Sequence, residues 1–135
     1  MNAEELRLGN IVNFLMGSSW LQGQVNNIGK SNCVIGASSI KSLNIQGVRI
    51  TEEWLRKFGF REMEDTIPEG YPTFWPPDCS RFRIYFSESN QMFNWDVFDL
   101  KTLDLMERIA TINYVHQLQN LFFMLEGKEL VVQEV

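Results

Sequence analysis

Hydrophobic and polar positions alternate in short bursts over residues 6 to 50, broken by glycine, serine and asparagine, as in Ile11-Val-Asn-Phe-Leu15 and Cys33-Val-Ile35. Bursts of this length bounded by turn residues predict strands rather than helices. The expected strands cover 10–15, 21–28, 32–36, 39–43 and 48–50, with Gly29-Lys-Ser-Asn32 as a hairpin turn. Thr51-Glu-Glu-Trp-Leu-Arg-Lys57 then begins with a cap residue, carries two acids in its first turn and ends in two bases before Gly59. That order matches both capping and the helix dipole, and predicts a short helix with Trp54, Leu55 and Phe58 on its packing side.

Residues 65–80 hold all four prolines and read as one long loop, because proline removes a ladder donor and breaks helices. Strands over 81–86 and 92–98 form a hairpin around Ser87-Glu-Ser-Asn-Gln91, and a further strand over 102–110 leads into the last helix. Turned at about 100° per residue, the segment after Thr111 puts Tyr114, Val115, Leu118, Leu121, Phe122 and Leu125 on one stripe. The helix is expected over roughly 113–126, with Thr111 or Asn113 as its cap and Gly127 as its stop. The tail 130–135 is short and rich in β-formers, suited to an open sheet edge. The fold class is α+β: a small antiparallel N-terminal β-barrel, a short helix, further antiparallel strands and one C-terminal amphipathic helix. The 135 residues make a single compact unit, with 1–50 as the barrel subdomain and 51–135 as an α+β layer. Arg7-Leu-Gly-Asn-Ile-Val12 followed by Gly23-Gln-Val25 is similar to the entry strands of small barrels of the Tudor or KOW type.

The helix face opposite the apolar stripe changes the picture. His116, the only histidine, lies there with Gln117, Gln119, Asn120 and Phe123, where a solvated face would carry Lys and Glu. Two readings stand: the amides satisfy backbone groups of their own chain, or the face meets a protein partner or a second subunit. Tyr71, Phe74 and Trp75 in the proline-rich loop form a second set, either an aromatic surface for a partner or a flap over the core.

Tyr114-Val-His-Gln-Leu-Gln-Asn-Leu121, followed by Phe122, Leu125, Gly127, Glu129 and Leu130, resembles the C-terminal signature of small uncharacterised proteins of Bacteroides-type bacteria and their bacteriophages. Leu6-Arg-Leu-Gly-Asn-Ile-Val12 and Ile50-Thr-Glu-Glu-Trp-Leu-Arg-Lys-Phe-Gly-Phe60 are similar to the same group. The resemblance implies a phage or mobile-element setting and carries over no catalytic residue.

The net charge of −5 opposes broad phosphate-backbone binding. Arg81 and Arg83, which alternate onto one side of a strand, read first as part of a solvated face, and together with Trp75 would alternatively serve a single-stranded nucleic acid by phosphate contact and stacking. Arg56, Lys57 and Arg61 read as a solvated face balanced by Glu52, Glu53, Glu62 and Glu64. Cys33 and Cys79 match no metal-ligand spacing, so reduced thiols are expected. Met1-Asn-Ala-Glu-Glu5 has no basic segment followed by an apolar core, and no stretch reaches bilayer-spanning length, which places the chain in the cytoplasm with no membrane contact. No phosphate loop, paired-cysteine motif, nucleophile elbow or metalloprotease helix is present. A lone histidine supplies one element of a metal or nucleophilic site, so no catalytic residue, metal or cofactor is assigned. Converging carboxylates such as Asp96 and Asp99 leave a small hydrolase as a third class. The leading expectation is a non-enzymatic interaction protein that binds protein, followed by a single-stranded nucleic-acid module.

Overall fold

A computed structural model describes residues 5–62, 73–77, 82–87, 92–98 and 105–133. The chain is α+β and divides into two compact units. The first draws on residues 1–49 and 114–129, the second on 50–113 and 130–135.

The first unit is an antiparallel meander: β1 (Ile11–Met16), β2 (Ser19–Ile28), β3 (Asn32–Ile35) and β4 (Ser38–Lys41). A 3-10 turn at Ser42–Asn44 then delivers β5 (Ile45–Gly47) back to β1, giving the order β4-β3-β2-β1-β5. The sheet curls into a half-barrel and stays open between its edge strands β4 and β5, where a closed barrel was expected. Register explains the core: Val12 lies opposite Gly23 and Gly47, and Phe14 opposite Leu21 and Ile45. Residues directly opposite share a face, so Val12, Phe14 and Ile45 turn inward with Val25, Cys33, Ile35, Ile40 and Leu6. Gly23 is required for space, since a Cβ there would stand 2.7 Å from Ile35 Cγ2 and 3.1 Å from Phe14 Cε1. A register shift between Val25 and Asn27 bends β2 where it passes from β1 to β3.

The helix that closes the chain, α2 (Val115–Glu126), belongs with this first sheet. It is joined to it by Val115 N–H donating to the Val48 carbonyl at 2.8 Å and by the bridge between Arg49 and Tyr114. The cap is Tyr114 rather than Thr111 or Asn113: its backbone N–H donates to Gln117 Oε1 at 3.1 Å, half of a capping box. Gly127, at φ 72°, stops the helix in the left-handed conformation, its N–H reaching the Phe123 carbonyl at 2.8 Å.

The second unit holds α1 (Glu52–Lys57) and an antiparallel sheet of β6 (Arg61–Glu62), β7 (Thr73–Trp75), β8 (Phe82–Ser87), β9 (Met92–Phe98) and β10 (Leu105–Ile112), ordered β10-β9-β8-β7-β6. Thr51 Oγ1 accepts from Trp54 N at 3.3 Å, as its position before two glutamates predicted. Leu55, Phe58, Phe60, Phe74, Ile84, Ile112 and Leu130 are buried. β7 corrects the expectation of a structureless 65–80 loop. Proline removes only its own donor, and Trp75, lying before Pro76, is pushed toward extended backbone. Three residues between prolines therefore still pair with both β6 and β8. The tail does not join a sheet over 130–133; Gln133 N–H instead donates to the Lys57 carbonyl at 2.6 Å.

Candidate functional site

The amide-rich helix face meets the chain's own N-terminal segment. Gly9 N–H donates to the Val25 carbonyl at 2.8 Å and Val25 N–H to the Asn10 carbonyl at 2.9 Å, so residues 9 and 10 are stitched onto β2. Ile11 N–H and the Gly9 carbonyl are left to the helix. Gln119 takes both: Oε1 accepts from Ile11 N–H at 2.8 Å and Nε2 donates to the Gly9 carbonyl at 3.1 Å. On the next residue, Asn120 Oδ1 accepts from Asn10 Nδ2 at 2.8 Å and from Arg7 Nη1 at 2.9 Å, while its Nδ2 donates to the Glu5 carbonyl at 3.0 Å. Arg7 also pairs with Glu129 and lies 4.0 Å above the Phe123 ring. Leu6-Arg-Leu-Gly-Asn-Ile11 and the helix residues Gln119 and Asn120, more than a hundred residues apart, are thus two sides of one lock.

The first of the two readings of the helix face has hydrogen bonds behind it. Gln117, Gln119 and Asn120 satisfy groups of their own chain. His116 and Gln119, expected on the outward face, are 1% and 3% exposed and lie on the inward one with Val115, Leu118 and Phe122. The reason is the helical period itself: Gln119 follows Val115 by four and precedes Phe122 by three, the spacing of one stripe. Leu121 and Leu125, expected in the core, are half-buried. Of the candidate contact residues on α2, Phe123 is the exposed one.

His116 has no hydrogen-bond partner on either ring nitrogen among the described residues; Nε2 stands 3.7 Å from Glu5 Oε2. Its ring stacks on Tyr114 at 5.7 Å between centroids and 14° between planes. Burial pushes the imidazole pKa below its ordinary 6.5, with the Glu5 carboxylate opposing the shift in part. Because the folded value is the lower one, the unfolded chain binds more protons between the two values, and stability rises with pH through that window. The His116 contribution is therefore complete above pH 6.5 and is lost as pH falls through the folded pKa. Thermal melts from pH 7.5 down to about 5 should show a falling Tm, and His116→Gln should flatten that slope. An identical slope in the two proteins would count against the buried neutral imidazole.

Tyr114 and His116 together explain Gly47. A Cβ on Gly47 would stand 2.7 Å from Tyr114 Cγ and Cδ1 and 3.2 Å from His116 Cε1, with the two stacked rings unable to part freely. Gly47→Ala is expected to destabilise by about 1–3 kcal/mol, the usual range for overpacking, read as a shift of the urea midpoint. Beside this point a depression of about 540 Å³ is lined by Glu5, Ile45, Gln46, Gly47, Arg49 and Tyr114.

In the second unit, Phe74 is fully buried on β7, which removes it from any aromatic surface, and Trp75 is half-buried. Tyr71 and Arg81 lie outside the described residues, as do Cys79 and Asp99. Arg83 is half-buried, its guanidinium 5.4 Å from the Tyr85 ring. Arg56 pairs with Glu52 at 3.5 Å and Glu62 at 2.9 Å, and Lys57 with Glu53 at 3.5 Å, the balanced solvated face expected there. Cys33 is a buried thiol whose pKa is raised by desolvation. Among the described residues no three His, Cys, Asp or Glu side chains are grouped to hold a metal ion, and no helix is long and apolar enough to cross a membrane. Sequence reasoning quoted Arg7, Asn10 and Tyr114 without giving them a place in the site and did not single out Gly47; the available signal was Asn10, a polar residue directly before the apolar run that starts at Ile11. Comparison with models of known protein families, with curated proteins and with solved structures found no match.

Proposed function

We propose that the chain is a non-enzymatic interaction protein of a phage or mobile element. It acts in the cytoplasm and binds a protein partner through a half-barrel of Tudor or KOW type that its C-terminal helix holds in place. The barrel type is supported by the four-strand meander, the 3-10 turn and the fifth strand that returns to β1. The observation that carries the function is the group of large apolar side chains exposed at one end of the half-barrel, Met16, Trp20, Leu21 and Leu43. Grouped exposure of this kind marks contact surfaces, whereas single exposed leucines do not.

A second reading is a single-stranded nucleic-acid module. Arg61 lies opposite Trp75 on the second sheet, and Arg83 sits on the next strand, a flanking of one aromatic by cations that suits stacking beside phosphate. The surplus of acids weighs against it.

Affinity capture from phage-infected Bacteroides-type cells, with and without nuclease, separates the two. Capture that survives nuclease and is lost on Leu43→Asp, in a variant that melts like the parent, is the expected result. Capture that vanishes on nuclease digestion would overturn the reading in favour of nucleic acid.

A further inference from the structure

We infer that the end of the half-barrel where β1 turns into β2 docks a short apolar peptide segment with acidic flanks. The inference rests on the interaction-protein reading above and names the surface and its partner. Register places the residues. Met16 continues the inward alternation of Val12 and Phe14, and Leu21 lies directly opposite Phe14. Leu43 sits on the 3-10 turn two residues before Ile45, which is also opposite Phe14. Met16 and Leu21 thus share the face of Phe14 by register, Leu43 leads into Ile45 at the same end, and the three are 43%, 47% and 76% exposed. Trp20, opposite Leu15, adds a 45% exposed ring on the other face of the same hairpin tip. The interior of the half-barrel thus runs out to solvent at this end.

Area and charge select the occupant. Scaled to side chains of roughly 150 Å², the small end of the aromatic range, the exposures of Met16, Leu21 and Leu43 come to about 250 Å², about a third of the ~800 Å² per partner of a standard protein interface. A second copy bound through this end alone would be under-buried, whereas a peptide that inserts two or three side chains matches it. Residues 6–51 contain no Asp or Glu at all, and their charges are Arg7, Lys30, Lys41 and Arg49. All 17 Asp and Glu of the chain therefore lie elsewhere, and Lys41, exposed on β4, stands immediately before the turn that carries Leu43. An acidic flank meets a cation here and no like charge from these strands. A nucleic acid fits less well, since aliphatic Met16, Leu21 and Leu43 give no flat face for bases and a single adjacent lysine does not track a backbone.

The test is selection from a displayed library of random short peptides on the full chain, counter-selected on the Leu21→Ser/Leu43→Ser variant. Enrichment of apolar peptides with Asp or Glu flanks is expected. A selected peptide, labelled and titrated, should bind about tenfold or more weakly to that variant and more weakly to Lys41→Glu and in high salt. Both variants change exposed positions and should melt like the parent. Equal enrichment on parent and double variant would overturn this surface while leaving a protein-binding function elsewhere intact. Selection of basic peptides, no enrichment at all, or a labelled oligothymidylate bound more tightly than any peptide would each overturn the proposal. So would a dimer in light scattering that is abolished by Leu43→Ser, which would identify a second copy as the occupant.

Discussion

Gln119→Leu is expected to lower the stability of the protein by roughly 2–5 kcal/mol, although leucine is close to glutamine in size and apolar surroundings welcome it. Two backbone groups lose their partner at once: Ile11 N–H, on a residue 5% exposed, and the Gly9 carbonyl. Each buried group left unsatisfied costs about 1–3 kcal/mol in desolvation, which outweighs the gain from burying a leucine. Gln119→Glu should also destabilise, because a carboxylate accepts from Ile11 N–H but cannot donate to Gly9. Asn120→Ala removes bonds that are partly open to water and should cost less. Urea unfolding gives the stability, and amide exchange at Ile11 gives the site, since that proton should lose protection selectively in Gln119→Leu. A midpoint within experimental error of the parent would mean that the bond at Ile11 is replaceable by water.

The same residue shows how far local pattern reaches. Alternation and turn residues located β1 to β4 closely, but the strand expected at 48–50 is not formed and β5 lies at Ile45–Gly47, directly after the 3-10 turn; Thr51 and Gly127 marked helix ends because a cap acts on its immediate neighbours. Gln119 sits at a stripe position of α2, but as a polar residue it read as outward. Its inward orientation depends on two backbone groups more than a hundred residues earlier that β1 and β2 leave unpaired. No period within the helix encodes those groups. The half-barrel illustrates the same limit: strand content was legible, whereas whether β4 meets β5 depends on long-range curl that five short bursts do not specify. For the second sheet, counting prolines over 65–80 hid Thr73–Trp75, although the residue before Pro76 carried a β signal.

Leucines 118 and 121 fall on one apolar stripe by periodicity, and the structure separates them. Leu118 is fully buried; Leu121 is half-buried, one turn edge further round the helix. Leu118→Ala removes three carbons from a closed space, and large-to-small changes there typically cost about 2–5 kcal/mol, the spread reflecting how far the cavity collapses. Leu121→Ala leaves a site that solvent can enter, so the cavity contribution is small and about 1 kcal/mol of transfer free energy remains. The two variants, melted and unfolded in urea side by side, should therefore differ by at least about 1 kcal/mol in the same direction. His116 and Gln119 set the expectation further, because they wall the same buried face and cannot follow a receding side chain without breaking their own contacts. Equal losses for Leu118→Ala and Leu121→Ala would show that the stripe centres between them, as periodicity alone suggests, and that the inward placement of Gln119 is incorrect.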